Sequence, residues 1–271
     1  MRMRTVPFLM AALLLTLTGC QKDYSVDTLN AASGAQLKTV RIYFLDNNVA
    51  AGDDTLHTIN YLYDARQRLV RVLDSNYNKD GARYAGALTY NYDGTSKYPS
   101  AATSEEDNGN GFMEHDMAVF RFDANKRLVF DSSIINGSTI SIAWTGNTAI
   151  RTMIDKTAGG TTTMDTLYLD DKRNITKETT TQLVSGYLVN IVTTNTYTNY
   201  ANPFAAYPFP PMTTVESANL PQSIAIVATD VLDGSNLYKD NATLQYKLDD
   251  KGRVIEQASA DGNTKFIFSY Y

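Results

Sequence analysis

Tyr61-Leu62-Tyr63-Asp64 is followed by Arg68-Leu69, and Phe120-Arg121-Phe122-Asp123 leads in the same way to Arg127-Leu128. Leu167-Tyr168-Leu169-Asp170 leads to Asn174-Ile175, and Tyr246-Lys247-Leu248-Asp249 to Arg253-Val254. Tyr90-Asn91-Tyr92-Asp93 begins a fifth copy that runs into Pro99 instead. In each full copy two apolar or aromatic residues share one face, an Asp opens a short, mostly polar turn, and a new strand begins. Asp at the first turn position accepts backbone N–H bonds. Gly252, or Asn125 one position earlier in its own copy, supplies the left-handed conformation that a bulged type I turn needs. The copies are too unevenly spaced for a solenoid or propeller. They predict a meander with variable loops at one end.

The rest of the chain agrees. Period-two alternation runs through residues 40–44, 69–73, 140–144, 187–192 and 265–270, and the 18 Tyr favour pleated, half-buried surfaces. No convincing helical stripe appears beyond the N-terminal segment. The expected fold is all-β: an antiparallel up-and-down meander forming a curved sheet or a partly or fully closed soluble β-barrel, built as one domain over 39–271. A membrane-spanning barrel fits poorly. Phe266, Phe268 and Tyr270 alternate in a phase that excludes the terminal Tyr271, and many strands carry Lys, Asp or Asn on both faces.

The N-terminus reads as an address. Arg2 and Arg4 precede an apolar run over 6–17, too short to cross a bilayer comfortably but suited to a signal-peptide core. Leu17-Thr18-Gly19-Cys20 resembles the bacterial lipobox, and Cys20 is the one Cys of the chain. The expectation is a signal peptide over 1–19, lipidation at Cys20, and a flexible tether over 20–38, so that acyl chains hold the protein to a membrane. Gln21-Lys22-Asp23 resembles the surface-export signal of Bacteroidota lipoproteins, which implies an outer-membrane protein at the cell surface.

Composition removes several chemistries. Of 271 residues, 24 are Lys or Arg and 29 Asp or Glu, a net charge of −5 that offers no basic face for nucleic acid. One Cys excludes an internal disulfide framework, and two His leave little for a histidine metal cluster. No Gly-x-Ser-x-Gly elbow accompanies His57 or His115, so no catalytic residue is assigned and no enzyme is expected.

Two segments stand out as candidate sites. The acid-rich loop over 104–116 places Asp107, Asn108, Asn110 and Glu114 around glycines, an oxygen-rich pattern suited to Ca²⁺, although an EF-hand count from Asp107 meets Ala118 where Glu belongs. A plain solvated loop is the alternative, with no cofactor. The second segment holds Tyr197, Tyr200, Phe204, Tyr207 and Phe209 among four prolines. Aromatics on such a stiff loop form either a stacking platform for a ligand or a cap over the end of a barrel.

Together with the hairpin repeat, Trp144-Thr145-Gly146-Asn147, Tyr200-Ala201-Asn202-Pro203-Phe204, Asn219-Leu220-Pro221 and the closing hairpin over 246–271 resemble elements of an uncharacterised Bacteroidota lipoprotein family. Its domain, of unknown function, has YD-type repeats and a porin-like or lipocalin-like β-fold. The resemblance implies no catalytic residues. The expected role is a monomeric, non-catalytic binding or scaffolding module for a glycan or a surface protein. The alternative is a carrier of an apolar molecule within the β-cylinder, and a hydrolase comes third.

Overall fold

The computed structural model describes residues 36–44, 55–77, 83–107, 113–133, 137–156, 161–184, 187–206 and 217–271. Cys20 and the signal peptide fall outside the described residues.

The repeated Asp does the work of a turn. The Oδ1 of Asp64 accepts from the backbone N–H of Arg66 at 2.8 Å and of Arg68 at 2.9 Å, while its Oδ2 takes the Arg68 Nε at 2.8 Å. Asp123 and Asp249 hold Arg127 and Arg253 in the same way. The left-handed residue is always the third after the Asp: Gln67 (φ 61), Lys126 (φ 65), Arg173 (φ 70) and Gly252 (φ 75). Asn125 is therefore not the left-handed residue of its copy. The N–H of Lys126 bonds to the carbonyl of Asp123 at 3.0 Å, closing the turn one residue later and leaving a lysine in the conformation that glycine takes in the last copy.

Sixteen strands follow one another: β1 (Leu37–Phe44), β2 (Thr55–Tyr63), β3 (Leu69–Tyr77), β4 (Arg83–Tyr92), β5 (Pro99–Asp107), β6 (Met113–Phe122), β7 (Leu128–Ser133) and β8 (Thr139–Thr145). The second half comprises β9 (Thr148–Asp155), β10 (Thr161–Leu169), β11 (Ile175–Val184), β12 (Tyr187–Ala201), β13 (Asn219–Asp230), β14 (Asn236–Leu248), β15 (Val254–Ser259) and β16 (Thr264–Tyr270). Each pairs antiparallel with its chain neighbours. β1 pairs with β16, through Val40 opposite Phe268 and Ile42 opposite Phe266, so the meander closes into an up-and-down barrel with no free edge strand.

Alternation sorts the side chains. Val40, Ile42, Tyr61, Tyr90, Phe120, Ile142, Leu167, Phe266 and Phe268 point inward and join one buried core at the end of the barrel where the Asp turns lie. Burying such side chains stabilises by about 1.5–3 kcal/mol each. Further from those turns the inward positions become polar: Asp74, Asp116, Asp131, Arg151 and Asp165. Outward positions carry Arg41, Arg71, Glu105, Arg121, Lys239 and Lys265. A lipid-facing wall needs an unbroken apolar band and encloses a polar lumen. This barrel has charges outside and an apolar core at one end.

Candidate functional site

The barrel wall opens at one seam. The ladder between β11 and β12 ends at Lys177 opposite Thr194, yet β12 continues to Ala201, held on its other side by β13. Side chains bridge the gap. Asn195 Nδ2 donates to the carbonyl of Ile175 at 2.9 Å, and the Tyr197 hydroxyl donates to the same oxygen at 2.7 Å. Ser217 Oγ accepts the Ile175 N–H at 3.0 Å. Asn174, 2% exposed, donates to Asp170 at 3.1 Å and Asn219 at 3.2 Å, pinning the start of β13 to the turn.

Outside the seam lies a groove of about 410 Å³, lined chiefly by Asp170, Asp171, Lys172, Asn195, Thr198 and Asn199. Inside it lies a cavity of about 40 Å³ lined by Tyr197, Phe204, Ile224, Leu244 and Phe266, with Asn195 and Tyr197 standing between the two. Asn195 is 8% exposed, and its Oδ1 has no hydrogen-bond partner within the protein. An orphan acceptor of this kind costs free energy unless water or a ligand donates to it. The cavity has room for about three waters. An acyl-chain cargo needs roughly 300–1,000 Å³, a range that the outer groove reaches and this cavity does not.

The proline-flanked aromatics do not stand together. Tyr197 is tied into the seam, and its hydroxyl also meets Ser217 at 2.7 Å. Phe204 turns inward against Phe268, ring centres 5.7 Å apart, and plugs the end of the barrel. Tyr200 stays exposed, edge-on to Tyr246 at 5.8 Å. Tyr207 and Phe209 lie outside the described residues.

Of the oxygen-rich loop, Asp107 ends β5 opposite Met113, and Glu114 pairs with Glu106, while Asn108 and Asn110 lie outside the described residues. Among the described residues no three His, Cys, Asp or Glu are grouped to hold a metal ion. The two imidazoles are separated: His57 lies 3.6 Å from Asp74 on the next strand, whereas His115 is exposed on β6.

Two polar clusters escaped the sequence reading. Arg151, inward on β9, donates from Nε to Asp165 Oδ2 and from Nη2 to Glu178 Oε1, both at 2.7 Å. Thr180 Oγ1 donates to the other Asp165 oxygen at 2.5 Å. Burial pushes the Glu178 carboxyl up, with Arg151 pulling the other way. Asp131, 2% exposed, has an Oδ1 without a hydrogen-bond partner; burial and the nearby Asp116 push its pKa up to about 6. The signal was a charged residue on the inward phase of a strand, which is readable only once the phase is known. The seam had a weaker signal: Asn174 stands where the other full copies of the repeat carry Arg.

No family model matches the chain, and no curated protein matches it. Among solved structures it is similar to a porin-like protein from Bacteroides vulgatus ATCC 8482, at 11% identity and a TM-score of 0.47, over 87% of this chain and 99% of that one. It is also similar to a porin-like protein from Bacteroides uniformis ATCC 8492, at 12% identity and a TM-score of 0.42, over 87% and 98%.

Proposed function

We propose that this chain is a non-catalytic binding module, carried on the outer membrane by acyl chains at Cys20 and exposed at the cell surface, that takes a glycan in the seam groove. The open groove lined by carboxylates, amides and hydroxyls carries the reading, with the buried Asn195 between it and the inner cavity. Asp170, Asp171, Thr198 and Asn199 line that groove. Sugar hydroxyls both donate and accept, so they match a lining of amides and carboxylates better than an apolar molecule does. Tyr200, exposed and next to Asn199 in the chain, offers a further ring face.

The test is equilibrium binding of the full chain to a glycan panel, repeated with Asn199→Ala and Asp171→Ala. Both side chains are exposed, so melting should stay unchanged while affinity falls about tenfold or more, the equivalent of roughly 1.4 kcal/mol. Retention of no glycan, or binding indifferent to both substitutions, overturns the ligand assignment. Anchoring is tested separately: Cys20→Ala should move the chain from the membrane fraction to the soluble one, and an unchanged distribution removes the lipid anchor.

A further inference from the structure

We infer that the outer wall of β8–β13 is the contact face for a second copy of this chain. Charge is distributed unevenly around the barrel. Among the described outward positions of these six strands, Lys177 is the single charged residue. The remaining strands carry Arg41, Arg71, Glu105, Arg121, Lys239 and Lys265 outward. The uncharged wall is also where large apolar side chains are left in water. Met164 is 56% exposed and Leu183 73%, with Ile150, Ile154 and Leu188 beside them, and Leu232 in the β13–β14 turn reaches 87%. Exposed apolar side chains grouped on one face mark a surface that is covered in use.

The register shows what lies between them. One outward row runs Thr152, Met164, Thr181, Asn190, Thr229 across β9–β13, and the row beside it runs Ile150, Thr166, Thr179, Val192, Val227. Hydroxyls and amides both donate and accept, so each can pair with its own kind. A charge brought against its own copy across a two-fold axis repels it. An uncharged wall of Thr, Asn and aliphatic residues is therefore self-complementary in a way that the rest of the barrel is not. The area also fits. Six strands spaced about 4.8 Å apart, contributing about seven residues each, offer on the order of 650 Å², close to the roughly 800 Å² per partner of a standard interface.

A bilayer is the weaker occupant. The chain enters the barrel at Leu37, at the opposite end from Leu183 and Leu232. The seam groove lies on the same wall, nearer the turn end than the pairing of Lys177 with Thr194 and so outside the two rows.

The test uses the full chain in intact cells. Thr181→Cys and Asn190→Cys sit mid-wall, and Thr89→Cys and Thr103→Cys sit on the far wall as controls. The parent chain, with Cys20 alone, sets the background. Mild oxidation should give covalent dimers from the mid-wall variants several-fold above the controls. Adding Met164→Lys and Leu188→Lys should abolish those dimers and lower the melting temperature by no more than a few degrees, because Met164 is 56% and Leu188 41% exposed. Equal yields from the two walls, or yields indifferent to the lysines, overturn the inference. So does flotation of the Cys20→Ala chain with phosphatidylcholine vesicles that is lost on Leu232→Lys, which would give the wall to a bilayer.

Discussion

The Tyr92 hydroxyl donates to the carbonyl oxygen of Leu69 at 2.6 Å, reaching from the last residue of β4 to the first of β3. Tyr63 does the same to Leu37 at 2.8 Å and Tyr270 to Val254 at 2.7 Å, and Trp144 donates its Nε1–H to Leu128 at 3.1 Å. The pairing of Tyr63 with Leu69 skips a residue, so the ladder is interrupted where the new strand starts, and the aromatic donor satisfies the carbonyl there. The Arg that follows the turn then lies over the same ring: Arg68 over Tyr92 at 4.4 Å, Arg127 over Trp144 at 5.0 Å, Arg253 over Tyr270 at 4.8 Å. Turn Asp, Arg and closing aromatic form one unit that recurs around this end of the barrel.

Tyr92→Phe keeps the ring and removes the donor. The Leu69 carbonyl then loses its side-chain partner, which should cost about 1–2 kcal/mol. For a chain of this size that lowers Tm by roughly 2–8 °C. Thermal melting with no downward shift would mean that this bond is replaced by water at no cost.

Arg151 neutralises two inward carboxylates. Arg151→Met should destabilise by about 3–5 kcal/mol, because Asp165 and Glu178 are left facing each other without their cation. Adding Asp165→Asn and Glu178→Gln should recover part of the loss. Urea titration reads both, and a triple variant no more stable than the single one would refute the charge argument.

Asp131 gives the barrel a pH dependence of definite sign. Its folded pKa of about 6 lies above the ordinary 3.8, so the folded state binds its proton more tightly than the unfolded chain does. The stability this contributes is fully present below the unfolded value and is lost as pH rises through about 6, on the order of 2–3 kcal/mol in all. Asp131→Asn should remove that decline between pH 4 and 7. Turn carboxylates act in the opposite sense: the Asp123 carboxyl, opposed by burial, is held low by Arg127, so its contribution is lost as pH falls. The difference between wild type and variant isolates Asp131, and parallel stability curves would remove it as the source.

Gln67 adopts the left-handed conformation with a side chain that disfavours it. Gln67→Gly should stabilise by up to about 1 kcal/mol, and Gly252→Ala should destabilise by a similar amount. Chemical denaturation would show the two shifts with opposite signs; a shared sign would mean that contacts outweigh backbone strain.

Phe204 and Tyr200 are neighbours in sequence with different duties. Phe204→Ala uncovers the core at Phe268 and should cost about 3 kcal/mol. Tyr200→Ala, at an exposed residue next to Asn199 in the chain, should change stability by less than about 1 kcal/mol and weaken glycan binding instead. Melting curves and binding isotherms on both variants separate a cap from a platform, and a destabilising Tyr200→Ala would merge the two roles.

Much of the architecture was legible from local pattern. Phe266, Phe268 and Tyr270 face the core in the phase that their alternation predicts, and four Asp turns stand where the repeat puts them. These are short-range matters of side-chain period and turn chemistry. Even so, Asn125, which composition favours, is not the left-handed residue of its turn, because hydrogen-bond closure selects Lys126.

The groove was not legible in this way. Asn174 meets Asn219 across 45 residues, and Tyr197 reaches Ile175 across 22, because a ladder that stops at Lys177 forces side chains to close the wall. By itself the sequence determined an all-β meander of Asp-turn hairpins, because strand period and turn geometry are set within a few residues. Tertiary structure alone decided that the meander closes, since β1 meets β16 more than 200 residues away and the sum of strand twist and register carries no local mark. It also decided which face of each strand turns inward, and so which polar residues became a buried triad, an orphan acceptor or an uncharged wall.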